Sequence, residues 1–221
     1  MTESVLRPGV RTYKPRRSRY TERAARALAD PRGLLLPADG PPLDLAAVWG
    51  AGVPLVVDIG FGDGLATAAL ALEEQTGVLA IDVHTPGIGE LIARLQESDI
   101  TTVRIIEGDA LAVLSSRIPP ASLAGVRTWF PDPWPKARHH KRRIVQPAVL
   151  DLVHSRLGKS GWWHIATDWA EYADSITAVF AADSRWTGGA IPRPDWRPVT
   201  RYERRALRDG RGIVDLLFTR D

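Results

Sequence analysis

The sequence predicts an α/β protein with a mostly parallel sheet and helices on both faces. Three observations predict it. Short β-branched runs recur, the first three are each followed by a segment of helical pattern, and glycines and acids gather where the runs end. Near-continuous apolar strands belong to sheets covered on both sides, and their alternation with helices makes them parallel.

In chain order, "LVVDIG" begins the series at residue 55 and leads into "LATAALALEEQ". "VLAIDV" follows with "PGIGELIARLQES", and then come "VRIIEG" and "VRTWFP". "WWHIATD" continues the strands between helix candidates at 146–157 and 169–182. The tail "GIVDLLFTR" has no helix after it and reads as a last strand, pairing as a hairpin with a strand near 185–190. A Pro/Gly stretch at 37–42 joins the N-terminal region to the sheet, and no repeat interrupts the pattern.

The 221 residues suffice for one domain, expected over 29–221, with a short extension before it. The formal net charge is only +3, yet the sequence pI is about 9.5 and the basic residues cluster. Such clusters point to an anionic partner, nucleic acid ahead of membrane. Residues 1–28 carry Arg7, Arg11, Lys14, Arg16, Arg17, Arg19, Arg23 and Arg26 against Glu3 and Glu22. That composition predicts a flexible basic arm that neutralises phosphates, with a merely solubilising tail as the alternative. Cysteine is absent, which excludes disulfides, thiolate nucleophiles and cysteine-held zinc. With no apolar leader and no run near eighteen apolar residues, a soluble cytoplasmic protein is expected.

A nucleotide site is expected at "DIGFGDG". Gly60, Gly62 and Gly64 let the backbone turn tightly and approach a ligand, although a tight strand-to-helix turn alone would also use them. Asp58, Asp82 and Asp109 end or follow three successive strands, at the sheet edge where ligands of doubly wound folds bind. Acids there tolerate a cation and repel a pyrophosphate. S-adenosylmethionine, a sulfonium with an ammonium group, fits better than NAD.

The stretch "RTWFPDPWPKARHHKRR", residues 127–143, sets one carboxylate, Asp132, between Pro131 and Pro133. Behind it stand Lys136, Arg138, Lys141, Arg142 and Arg143, with His139 and His140. A run of charge is often only a solvated face; here it also suits the phosphates of a folded RNA. Trp134 either stacks on an exposed base or packs inside. Adjacent histidines lack the spacing that puts two ligands on one helical face, so no metal site is expected. Thr200 and Glu203 read as a Thr-x-x-Glu capping box, which accounts for both without any ligand.

Together, "DIGFGDG", "IDVHTPGIGELIARL", "EGDAL", "FPDPWPKARHHKRRIVQP", "ATDWAEYA" and "RPVTRYERRALRDGRGIVDLLFTR" resemble the bacterial tRNA (guanine-N7-)-methyltransferases, over roughly residues 55–221. The resemblance implies a seven-stranded, Rossmann-like class I methyltransferase fold with an antiparallel last strand. It implies S-adenosylmethionine bound through Asp58, Asp82, Asp109 and Asp132, and tRNA bound through Lys136, Asp168, Thr200, Arg201, Tyr202 and Glu203. The target would be a guanine of the variable loop, with no membrane or metal involved, in a monomer or homodimer. Asp58 and Asp82 stand where the family usually has glutamate, one methylene longer, and Asp63 stands where an apolar residue is common.

Guanine N7 attacks a methyl group with an in-plane lone pair and loses no proton. The catalyst need only align the partners and favour positive charge on the purine, a task for Asp132 in its proline-fixed turn. Asp168 is expected to accept the guanine N1 and N2 protons. Two other readings remain open on sequence: a methyltransferase for another RNA or purine, and a non-catalytic tRNA-binding protein.

Overall fold

The structure is a computed structural model that describes residues 11–13 and 19–221. Its sheet has eight strands in the order β1-β4-β3-β2-β5-β6-β8-β7. The inner strands are β2 (Leu55–Ile59), β3 (Gly77–Asp82), β4 (Val103–Glu107), β5 (Leu123–Trp129) and β6 (Leu157–Thr167). All of them run parallel. Seven strands were expected; the eighth is β1 (Leu35–Leu36), a two-residue pairing beside β4 that Pro37 closes. So short an edge strand leaves no periodic signal.

Alternate residues of one strand serve different cores, as a sheet covered on both faces requires. Leu79 and Ile81 of β3 join a cluster with Val57, Val126 and Trp163, while Val78 and Ala80 join Ile88, Leu91 and Ile105 on the other side. Between the strands run α3 (Leu65–Glu73), α4 (Thr85–Glu97), α5 (Ala110–Ser116), α6 (Pro147–Arg156) and α7 (Ala170–Ala181). The α4 helix starts with proline in its first turn and buries Ile88, Leu91, Ile92 and Leu95, a stripe of helical period.

The last strand, β8 (Val214–Arg220), lies antiparallel between β6 and β7 (Trp186–Ile191). The pairing of tail and 185–190 is as expected, but the connection is no tight hairpin. It spans residues 192–213 and carries α8 (Arg201–Arg208). A short helix, α2 (Leu45–Trp49), precedes β2.

The expected free arm needs correction over part of its length. Its residues 1–10 and 14–18 lie outside the described residues, whereas Glu22–Ala29 forms α1. Thr21 caps it, and Ala24 and Ala27 are buried. A Cβ built on Gly89 would stand 2.7 Å from the Ala24 carbonyl oxygen, so α1 sits close on α4. Arg23 reaches Glu90 and Glu97, each at 2.6 Å. Positive charge dominates the composition here, but small residues on one face and two acids opposite decide the structure.

Among the described residues, no helix is long and apolar enough to cross a membrane. None of their His, Asp and Glu side chains form a group of three or more that could hold a metal ion.

Candidate functional site

The sheet reverses its winding between β2 and β5, the place where ligands of such folds bind beyond the strand ends. A cleft with roughly 870 Å³ of free space opens there. The glycine turn after β2 forms its floor: Gly60, Gly62 and Gly64 have φ of +73°, +70° and +70°, a conformation other residues adopt at a cost. Gly64 faces a second restriction, since a Cβ would meet that of Leu91 at 2.5 Å.

Asp82 at the end of β3 holds this turn. Its Oδ2 accepts from the Gly62 N–H at 2.9 Å, and its Oδ1 from Val83 and His84 at 2.7 and 2.9 Å. It also borders the cleft, so one carboxylate both shapes the turn and faces a ligand. Asp58, in contrast, is buried and accepts from the Thr67 hydroxyl at 2.7 Å. Burial pushes its pKa up, against the opposing pull of Arg127 and Thr67. It borders a smaller annexe of about 410 Å³, which shares Gly60, Phe130, Arg201 and Tyr202 with the main cleft. Asp109 caps α5 by accepting from the Leu111 N–H at 2.9 Å; its neighbours Gly108 and Ala110 line the cleft.

Asp132 lines the same cleft, half-buried. The prolines are only part of what fixes it. Phe130 and Trp134, on either side, have left-handed backbones with φ of +53° and +46°. Such residues cost on the order of 1–3 kcal/mol each and persist only where their surroundings hold them. Phe130 is held by its N–H to the Ala166 carbonyl at 2.7 Å and by its ring stacked on Tyr202 at 6.3 Å. Tyr202 and Arg201 also line the cleft, and Thr12 and Tyr13 reach it from the N-terminal side.

The structure thus gathers Asp82, Asp132, Gly60, Gly62, Arg201 and Tyr202 around one cleft, with Asp58 and Thr200 at its annexe. Other expected residues stand apart. Lys136 is exposed at the start of a 3-10 turn, Ala137–Arg142. Asp168 follows β6 and pairs with Arg211 at 3.0 Å.

Arg143 corrects an expectation, while Trp134 and Glu203 fall among readings that the sequence left open. Of the two readings of Trp134, the packed one holds: it is buried, its Nε1–H donates to the Thr12 carbonyl at 3.3 Å, and the Arg142 guanidinium lies 4.9 Å from its ring. Arg143 does not meet phosphate; it is buried, donates to the Pro133 carbonyl and pairs with Glu171. Glu203 does not offer a free carboxylate to guanine. It pairs with Arg197 at 2.7 Å and Arg193 at 2.6 Å, and only the Thr200 half of the capping box forms, at 3.2 Å.

Glu203 belongs to a buried chain of groups that sequence reasoning missed. Trp129 donates its Nε1–H to His164 Nδ1 at 2.9 Å, and His164 Nε2 stands 3.1 Å from Asp215. Asp215 accepts from Arg197 at 2.7 and 3.0 Å, and Arg197 then grips Glu203. Burial alone would raise the pKa of both acids. Their partners outweigh it, His164 and Arg197 at Asp215 and the two arginines at Glu203, and hold both below the usual carboxylate range. The one trace in sequence is polar residues, His164 and Asp215, inside otherwise apolar strands.

Comparison with known proteins follows the same lines. Residues 53–216 match the family described as "Putative methyltransferase". The chain is 46% identical over 220 residues to a tRNA (guanine-N(7)-)-methyltransferase of Streptomyces avermitilis, covering 96% of this chain and 75% of that protein. It is 43% identical over 221 residues to one of Thiobacillus denitrificans, covering 97% and 96%. A solved Streptococcus mutans structure, described as a "putative methyltransferase" in complex with SAH, superposes with a TM-score of 0.52 over 76% of this chain and 89% of that one. At 13% identity that likeness shows the fold.

Proposed function

The chain belongs to the tRNA (guanine-N(7)-)-methyltransferase family, and from that premise we propose that it methylates N7 of a guanine in the tRNA variable loop, using S-adenosylmethionine. One observation carries the reading: a rigidly mounted Asp132 lines one cleft with a glycine turn whose nearby acids are Asp58 and Asp82.

The residues present fit the cofactor. A bare glycine turn admits close approach, and Gly60 would have nothing within 4 Å of an added Cβ. When bound, S-adenosylmethionine supplies a sulfonium-activated methyl group. Asp58, buried and pushed up in pKa, suits the ammonium of the donor, whose charge would offset the cost of its desolvation. Asp82 suits the ribose hydroxyls with the lone pairs it does not spend on backbone N–H groups. Asp109 lies beside the part of the cleft formed by Gly108 and Ala110, suited to the adenine amine.

The acceptor needs no base. With the donor bound, the N7 lone pair would take the methyl group as the carbon–sulfur bond breaks, leaving a neutral thioether and a positively charged purine. Asp132 favours that charge, and its strained setting removes the entropy of finding the pose. Tyr202 and Phe130 give the flat wall beside it. Asp168 is the acceptor for guanine N1 and N2 protons once Arg211 yields it. Exposed Lys136, Arg138 and Lys141 meet phosphates.

The test is incubation with unmodified tRNA and labelled methyl donor, followed by nucleoside analysis. Labelled 7-methylguanosine is expected. A chain that binds neither the donor nor tRNA, or that labels another base, overturns the proposal.

A further inference from the structure

We infer that Trp196 forms a second base-binding subsite, stacking a nucleobase of the tRNA strand next to the target guanine. The inference rests on the proposed tRNA substrate and adds a residue to it.

Trp196 is 47% exposed, unusual for so large an apolar side chain, and single exposed hydrophobics are often without meaning. Its mounting decides otherwise. Residues 192–200 contain Pro192, Pro194 and Pro198, which fix the backbone on both sides of the ring. The Arg197 N–H closes a turn on the Pro194 carbonyl at 3.1 Å, and Arg193 donates to the Arg197 carbonyl at 2.6 Å. The neighbouring Arg197 side chain is fully buried between Asp215 and Glu203. An exposed indole is thus carried on a loop tied by hydrogen bonds and a buried ion pair.

Its position is equally specific. The ring rests on Trp129 at 6.2 Å and on His164 at 5.2 Å. Trp129 lines the cleft, so Trp196 stands one ring outward from the proposed reaction centre. The loop runs directly into α8, whose Arg201 and Tyr202 line the same cleft and whose Arg204 and Arg208 are exposed. A flat ring already held in place, with cations for the flanking phosphates, suits an unpaired base of an RNA loop.

The experiment compares Trp196→Ala, Trp196→Leu and Trp196→Phe for tRNA binding by anisotropy, for methylation kinetics, and for S-adenosylmethionine affinity by calorimetry. Removing one stacked base should weaken tRNA binding and raise KM by about tenfold in the Ala variant. The Leu variant keeps apolar cover over Trp129 and His164 but has no aromatic face, and it should fall equally. The Phe variant should recover most of the loss, and donor affinity should stay unchanged throughout. Rescue by Leu, or wild-type tRNA affinity in the Ala variant, overturns the subsite. Self-association that Trp196→Ala abolishes while tRNA affinity holds also overturns it, by assigning the ring to a second copy of the chain. The binding arm reads the subsite even if no methyl group moves; absence of methylation by the wild-type chain counts against the proposed reaction alone.

Discussion

The two walls of the cleft are built by different means. The proposed cofactor wall is built on a short turn: Gly60, Gly62 and Gly64 take left-handed backbones, and the Asp82 carboxylate accepts from the Gly62 N–H. The proposed acceptor wall is assembled from distant charges, with Arg197 joining Asp215 of β8 to Glu203 of α8, the residue after Tyr202. Such a turn depends on its glycines and on one carboxylate rather than on a set of paired ions. A wall held by buried ions depends on every partner, because one unpaired buried charge is costly. The proposed cofactor wall should therefore stay intact when an ion of the acceptor wall is removed.

The sharpest way to break this comparison is Arg197→Met. It leaves Asp215 and Glu203 without their shared cation and should destabilise the fold by about 3–5 kcal/mol in urea denaturation. The fraction that stays folded should bind S-adenosylmethionine normally and tRNA poorly. Loss of donor binding as well would show that the walls are one unit.

Asp132→Asn keeps shape and removes charge. It should lower kcat by roughly a hundredfold, a size typical of one lost group that stabilises transition-state charge, with tRNA affinity nearly unchanged. Equal loss of affinity would make Asp132 a binding residue.

Asp58→Asn should weaken donor binding by about tenfold, as for the loss of one charge-assisted contact, while making the unliganded protein more stable. The sign follows from its raised pKa. A carboxyl whose folded pKa lies above its unfolded one contributes stability below the unfolded value and loses it as pH rises through the folded value. At neutral pH the ionised form is therefore a cost that asparagine lacks. Glu203 and Asp215 behave oppositely: with depressed pKa values, their contribution is present above the unfolded carboxylate range and vanishes as pH falls through the folded values. Acid should thus weaken donor binding first, as Asp58 protonates, and loosen the acceptor wall only at lower pH, read as lost Trp196 and Trp129 fluorescence order.

The smallest effect is expected for Lys136→Ala. One phosphate contact fewer should flatten the log–log salt dependence of tRNA binding by about 0.7–0.9 and leave kcat alone. An unchanged slope would return Lys136 to the solvated surface.

How much of this was legible follows the same division. The order of strands and helices, the glycine turn and Asp82 could be read because each is written in a few neighbouring residues. Asp132 could be read because two prolines announce a fixed pose, although the left-handed Phe130 and Trp134 around it could not. The Arg197 cluster was hidden because its members lie far apart, and because Glu203 already had a sufficient local explanation as a cap. Trp134 stayed open between stacking and packing and Arg143 was read as outward-facing, since a tryptophan or arginine in a loop gives no local sign of whether it is buried. The α1 helix was lost under the charge of its neighbours, though Arg23 is neutralised by acids some seventy residues later.

Gly87, at the head of α4, has a consequence for how occupancy is felt elsewhere. A Cβ there would fall 1.9 Å from the Gly62 carbonyl oxygen, so the floor of the cleft and the start of that helix are in touch with nothing compressible between them. Further along the same helix, Gly89 abuts the backbone of α1 in a similar way. Any displacement of the floor on filling would therefore be passed, through two contacts too tight to absorb it, to the element that the basic leader enters.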